Sequence, residues 1–427
     1  MKPAFLWVPQ VITVSEEVLS RLSDRKTVLA AVERLPPFKA GEARPQWDPA
    51  SMSFGDAGLA WTFAHAAQTG LDSSWEWVAR HYLDHALEHA LEHPSPSVGL
   101  LSGLAGLAWV DHKLNGLARR AVNARLFQGV SALLKESPPN GGVHPTVFDA
   151  TYGLAGVGRY LLAIAPQNAD AEYLLRKILR RFIAWSQRTA PEGFFTPAHE
   201  VRPFEMADRP ELAQGYLDLG LAHGIPGPLA LLSLAWGSGL REPGMEQAAA
   251  LLVRRIQQTL RETPYGPDVP YRQLPILRQS PEPSRTGWCY GNPGVARALQ
   301  LAARSFAQPD WAALARELVR SAIRRPIEIR GLAAPTFCHG LSGFLAVLLH
   351  FETDLPSDEW KEAVNNVIDR MFAHYEPNTA FGFQNQEVNL QSLDDPSLQT
   401  GAAGVALVLL AASGMLGEAW DAVFLLA

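Results

Sequence analysis

Two kinds of apolar pattern alternate along the chain. In one kind nearly every position is apolar, as in LAWTFAHAA, PLALLSLAW and FLAVLLHF. A helix that is apolar all round has no wet face and belongs inside. In the other kind, apolar residues recur at three- and four-residue spacing among charges. Examples are AEYLLRKILRRFIAW, MEQAAALLVRRIQQTL, DWAALARELVRSAI and DEWKEAVNNVIDRMF. That spacing predicts helices with one buried and one solvated face. The chain is therefore expected to be all-α, built from pairs of one inner and one outer helix.

Each inner run opens on a Gly-x-x-Gly element. The copies are FGDAG (Phe54–Gly58), SGLAG (Ser102–Gly106), YGLAG (Tyr152–Gly156), HGIPG (His223–Gly227), YGNPG (Tyr290–Gly294), HGLSG (His339–Gly343) and TGAAG (Thr400–Gly404). Their first glycines stand at 55, 103, 153, 224, 291, 340 and 401, a period near 50 with insertions. Such a period marks a repeat architecture. Glycines at a helix mouth allow a tight turn and close approach of neighbouring backbones. The pattern fits an open superhelical solenoid or a closed ring of seven helix pairs, and does not itself close the ring. Two stretches break the rhythm. Thr189–Leu219 is rich in Pro and aromatic residues and has room for short strands. Thr263–Thr286 is Pro-rich and reads as a surface loop. Insertions on one face of a repeat fold often form its binding face.

Composition narrows the class. Of 427 residues, 47% are hydrophobic and 19% charged, and the formal charge is −6. This is ordinary globular usage, without the basic footprint of a nucleic-acid binder. The start, MKPAFLWVPQ, lacks the form of a signal peptide. Leu219–Leu240 and Ala402–Gly417 are the strongest membrane-span candidates. The first carries two prolines and five glycines and the second is only 16 residues long, against the roughly 20 apolar residues a span needs. Both read as buried helices, and a cytoplasmic protein is expected.

The chain has only two cysteines, Cys289 in WCYGNPG and Cys338 in FCHGLSG, and both lie in the repeat element. If equivalent loops share a face, Cys289, Cys338 and His339 meet. Two thiolates and an imidazole make a zinc set that leaves a fourth position open, as catalytic zinc requires. The alternative is two small buried hydrophobes at crowded helix mouths. His223 occupies the matching place one repeat earlier and could act as acid or base near neutral pH. Asp149, a further repeat back, could orient it, or serve only as a helix cap. Arg285, four residues before Cys289, could stabilise an oxyanion or be a surface Arg. A competing motif lies at His81–His93, where His-x-x-Glu-His occurs twice, at His85–His89 and His89–His93. It matches an inverted zinc-protease pattern, but lies on an outer-type helix as polar decoration around Leu83, Leu87 and Leu91. No phosphate-cradling GxxxxGK[ST] or GxGxxG is present.

GLAHGIPG, WCYGNPG and FCHGLSG, in this order and spacing, resemble the lanthionine synthetase C family from about Phe54 to the C-terminus. The resemblance implies a single domain over residues 1–427, a double-layered (α/α)7 toroid of seven inner and seven outer helices. It implies one zinc ion on Cys289, Cys338 and His339. It implies catalytic roles for His223, Asp149, Arg285 and Tyr290, the match at Asp149 being the looser one. The seventh repeat departs from the pattern: Gln399-Thr400 stands where relatives often have Leu-Glu. The inserted stretch at 189–219 matches, in place only, a subdomain thought to contact the substrate leader. The implied reaction is addition of a peptide Cys thiol to dehydroalanine or dehydrobutyrine in a dehydrated precursor peptide, forming a thioether ring. The resemblance leaves open which group takes the thiol proton and which protonates the enolate. It also leaves open whether the protein works alone or at the inner face of the membrane in a complex with a dehydratase and transporter. Two other functions share the motifs: binding glutathione or adding it to dehydrated residues, and a noncatalytic scaffold.

Overall fold

The structure, a computed structural model, describes residues 5–35, 47–93, 97–116, 119–137, 140–275, 283–386, 391–417 and 419–427. Its α-helices in chain order begin with α1 (Val8–Leu22), α2 (Arg25–Glu33), α3 (Asp56–Ala66), α4 (Trp75–Glu92), α5 (Leu104–Lys113) and α6 (Arg119–Glu136). Next come α7 (Pro145–Phe148), α8 (Leu154–Ile164), α9 (Ala169–Ser186), α10 (Pro203–Asp208), α11 (Pro226–Gly237) and α12 (Met245–Thr259). The last are α13 (Asn292–Ser305), α14 (Pro309–Arg324), α15 (Leu341–Leu349), α16 (Ser357–Ala373) and α17 (Ala402–Ala412). Strands among the described residues are four of two or three residues each: β1 (Leu217–Asp218), β2 (Arg261–Thr263), β3 (Gly266–Asp268) and β4 (Arg272–Gln273). No helix among the described residues is long and apolar enough to cross a membrane.

The chain folds as two compact units. The first comprises Met1–Pro96, Leu101–Val122 and Leu332–Asp421. In it α15, α17, α3 and α5 pack side by side as inner helices. Every residue of α3 is buried, which is why its sequence shows no polar face. Outer helices α4 and α16 pack on α3 and α15. The outer partner of α17 is α1, from the far end of the sequence. Its Val11, Val14, Ser15, Val18, Leu19 and Leu22 form the buried stripe. The simple pairing of each inner helix with the outer helix that follows it therefore fails at the seventh repeat. The stripe on α4 also differs from the expected one. Leu83 is buried, but Leu91 is 70% exposed, and Ala86 and Ala90 take the core positions instead.

The second unit comprises Ser97–Leu100, Asn123–Gly331 and Ala422–Ala427. Here α8, α11 and α13 form the inner row, backed by α9, α12 and α14. The inserted stretch at 189–219 contains α10, short 3-10 turns and β1. It has a small core of its own, Val201, Leu212 and Tyr216, against which Met206 and Leu274 pack. The surface loop expected over Thr263–Thr286 is not what forms. Hairpin β2–β3 occupies its start, β4 pairs antiparallel with β1, and Asp268 and Val269 are fully buried. The reason is a buried ion pair: Arg325 Nη2 reaches Asp268 Oδ1 at 2.6 Å, and Ser284 and Arg261 also bond that carboxylate. Residues 276–282 of that stretch lie outside the described residues.

The repeat element explains the inner rows. The second glycine of a copy faces the residue three before the first glycine of the neighbouring copy. A Cβ on Gly294 would lie 2.1 Å from Trp288 O and 2.9 Å from Leu221 Cβ, and one on Gly58 would lie 3.0 Å from Leu398 Cβ. Only a hydrogen fits there. Backbone hydrogen bonds then link successive copies near the position two before the first glycine. In the first unit Cys338 N–H donates to Gln399 O (2.9 Å), Gln399 N–H to Ser53 O (3.3 Å) and Ser53 N–H to Leu101 O (2.8 Å). In the second, Ala150 N–H donates to Ala222 O (3.0 Å) and Ala222 N–H to Cys289 O (3.2 Å).

Candidate functional site

With the backbone one step further in committed to these links, the side chain just before each first glycine is free to vary. In the second unit those positions hold Tyr152, His223 and Tyr290. Their rings form a row, each 6.0 Å from the His223 centroid. His223 Nδ1 lies 2.7 Å from Asp149 Oδ2, and the imidazole retains 32% exposure while Asp149 has none. The other oxygen, Asp149 Oδ1, accepts backbone N–H groups of Thr151 (3.0 Å), Tyr152 (2.6 Å) and Gly153 (2.8 Å) at the mouth of α8. A carboxylate bonded this way is an acceptor only, so Nδ1 carries the hydrogen and Nε2 presents a lone pair when the ring is neutral. Burial disfavours charge on His223, but the Asp149 hydrogen bond and the nearby charges of Asp149, Asp218 and Cys289 outweigh it and raise its pKa above the ordinary value.

Tyr290 Oη donates to Asp218 Oδ2 at 2.9 Å, and Arg272 Nε donates to the same oxygen at 3.1 Å. Burial first, then the Asp218 charge, push the Tyr290 pKa well above the usual phenol range. Arg272 is desolvated too, but the Asp218 charge holds its pKa high. Arg285 is half-buried, with its Cγ against Gly331 and its backbone N–H on Tyr271 Oη (2.8 Å). Among the described residues its guanidinium has no ion-pair partner, and no contact joins it to His223 or Asp149.

The ligand atoms of Cys289, Cys338 and His339 all lie within 4.8 Å of one another. Both cysteines are buried, and neither is in a disulfide. Two sulfurs and one imidazole nitrogen are the soft, borderline donors that suit zinc, and three of them leave room for a fourth ligand. Gln399 Nε2 lies 3.5 Å from Cys338 Sγ and can donate to it. Among the described residues this is the one group of three such donors close enough to hold an ion. The His81–His93 ladder makes no comparable cluster. His85 contacts Glu88 at 3.7 Å and His89 contacts Asp48 at 3.5 Å, and the remaining contacts are ring against ring.

A family model described as "Lanthionine synthetase C-like protein" matches residues 46–425. The chain belongs to the lanthionine synthetase C-like family. Among solved structures it resembles one titled "Nisin cyclase", with a TM-score of 0.77, 16% sequence identity and 98% of each chain covered. No curated protein sequence matches it. At that identity the structural likeness speaks for the fold, the double-layered helical toroid that the motifs imply. Three neighbours of the site were given no role from the sequence, Gln399 having been noted only as a departure in the seventh repeat. Tyr152 was legible, because it holds the same repeat position as His223 and Tyr290. Gln399 holds the repeat position of the two cysteines. Asp218 was signalled only by a lone carboxylate in the apolar run Leu217–Ala222.

Proposed function

We propose that this family member is a zinc-dependent lanthipeptide cyclase, joining Cys thiols to dehydroalanine or dehydrobutyrine within one peptide. The observation that carries the reading is the Cys289–Cys338–His339 donor set, with the Asp149–His223 pair supplied by an adjacent repeat. Those three residues would hold zinc, which when bound favours the thiolate form of a substrate thiol. The reaction is balanced in protons: one leaves the thiol, and one is added to the α-carbon of the enolate as the sulfur–β-carbon bond forms. A single acid–base group can therefore serve both ends. His223 suits this role, because Asp149 fixes its tautomer and steadies its charged form. Arg285, without an ion-pair partner among the described residues, is assigned to the developing enolate oxygen. The nisin cyclase likeness supports a peptide as substrate.

The test uses purified protein and a dehydrated precursor peptide, with free thiols counted over time against the uncatalysed background. Wild type should contain about one zinc per chain and close rings faster than background. Cys289→Ala should lose most of the zinc and the rate enhancement. His223→Ala should keep the zinc and lose about 10²–10⁴-fold in rate. Full zinc in Cys289→Ala would overturn the metal assignment. Thiol loss from glutathione rather than from the peptide would favour the glutathione-adding alternative, which the same site could serve.

A further inference from the structure

The two inserted stretches meet at the site. β1 ends the stretch at 189–219, β4 lies in the later Pro-rich stretch, and their register sets Asp218 directly opposite Arg272. Asp218 is 1% exposed. Its Oδ1 accepts the Gly220 N–H (3.1 Å), and its Oδ2 accepts both Arg272 Nε (3.1 Å) and Tyr290 Oη (2.9 Å). Both oxygens are thus met by donors, and the carboxylate charge is answered by a guanidinium. Arg272 in turn lies over the Tyr216 ring at 4.7 Å. Tyr216 Oη donates to Glu205 Oε1 (2.7 Å), and Glu205 Oε2 is within 3.1 Å of His144 Nε2. This partly buried polar chain runs from the core of the inserted stretch to Tyr290.

Tyr290 is clamped from other sides as well. The Tyr271 ring meets it edge-on with centroids 5.3 Å apart. A Cβ on Gly220 would come within 2.5 Å of its Cδ1. With its only proton directed at Asp218, the phenol oxygen has lone pairs, not a donor, left for the space beside His223.

Resting on the cyclase reading above, we infer that Asp218 is a positioning residue for Tyr290. Paired with Arg272, it holds the phenol so that Tyr290 offers an acceptor oxygen beside His223. The proton delivered to the enolate carbon then comes from His223, while Tyr290 orients donors in the site. The inserted stretch is on this view part of the catalytic apparatus as well as any surface it offers a leader.

The experiment is a double-mutant cycle on the zinc-loaded protein with the dehydrated precursor, scoring kcat, KM, zinc content and ring pattern for Asp218→Asn, Tyr290→Phe and the pair. Misplacing a reacting group by about 1 Å can cost 10²-fold, so each single variant is expected to lose between about 10- and 100-fold in kcat. KM and zinc content should hold. The double variant should be no slower than the slower single, because Asp218 acts only through Tyr290, and Asp218→Glu should recover part of the loss. Multiplying losses, or a loss in Asp218→Asn that tracks zinc content, would make Asp218 merely structural and overturn the inference. If Asp218→Asn does not fold because Arg272 is left unpaired, Asp218→Asn/Arg272→Gln removes both charges and is scored the same way. Protein labelled at the tyrosine ring carbon that bears the hydroxyl gives a readout without turnover. The Tyr290 signal, identified by its loss in Tyr290→Phe, should shift in Asp218→Asn; an unmoved signal refutes the contact. If wild type itself closes no rings, the cyclase reading fails, and this spectrum still decides the Asp218–Tyr290 contact.

Discussion

Asp149 separates a structural task from a chemical one, because its two oxygens do different things. Oδ1 gathers three backbone N–H groups at the mouth of α8, and Oδ2 meets His223. Asp149→Ala removes both. Thr151 and Gly153 are buried whereas Tyr152 is 41% exposed, so two N–H groups would be orphaned. At about 1–3 kcal/mol for each buried unmade bond, the cost is about 2–6 kcal/mol. That is a large part of a typical total of about 5–15 kcal/mol. Asp149→Asn leaves an oxygen for the N–H groups and turns its amide toward His223. It exchanges charged hydrogen bonds for neutral ones, costing about 1 kcal/mol. The two variants should therefore differ in urea midpoint, with Asn the more stable. The pH dependence has a definite sign. The folded pKa of His223 is raised, so its pairing contributes fully below the unfolded value near 6.5 and fades as pH rises through the folded value. The stability gap between wild type and Asp149→Asn should be wider at pH 6 than at pH 9. Urea unfolding at several pH values, with matched zinc content, measures it. A gap that widens toward alkaline pH, or an Ala variant as stable as Asn, refutes this division of labour.

Other perturbations test the scaffold and the rejected motif. Gly294→Ala should lose about 1–3 kcal/mol, because its Cβ would press on Trp288 O and Leu221 Cβ. Gly417→Ala, with nothing within 4 Å, should be near neutral in the same thermal melts. Leu19→Ala on α1 empties a fully buried position and should cost about 2–5 kcal/mol in urea unfolding, whereas a near-neutral result would mean α1 does not complete the seventh pair. His89→Ala disables both His-x-x-Glu-His copies and should leave zinc content and cyclisation rate unchanged; a loss of either with the fold intact would restore the ladder as a site.

Much of this molecule was legible from local pattern. All-round apolar runs became buried inner helices, because a helix packed on every side has no use for polar residues. The recurring glycines marked where inner helices touch too closely for a Cβ, so they also set the register. That register by itself puts His223, Tyr290, Cys289, Cys338 and His339 at matching loop positions. What stayed hidden was non-local. The pairing of α1, which ends at Leu22, with α17, which begins at Ala402, joins nearly opposite ends of the sequence. The stripe Val11–Leu22 was readable as amphipathic, but nothing in it names its partner. Leu91 on α4 was misjudged because three-four spacing alone does not say where a helix runs past the element it packs on.

The same register explains why Asp218 and Arg272 escaped notice. In each repeat the backbone two residues before the first glycine, or one further back, carries the link to a neighbouring copy, and the side chain just before that glycine takes no part in it. Substitution at the second position therefore leaves the scaffold bonds intact. Tyr, His, Thr and Ser can all stand there, and chemistry can be read by comparing copies within one chain. Asp218 stands six residues before Gly224 as Asp395 stands six before Gly401, with matching backbone bonds, but Arg272 belongs to an insertion that occurs once, so the pair has no second copy to be compared with. Their meeting depends on the two-residue ladder β1–β4, too short for any strand pattern to predict. A repeat protein thus displays in its sequence the residues grafted onto the repeat, and conceals those that reach the same place from outside it.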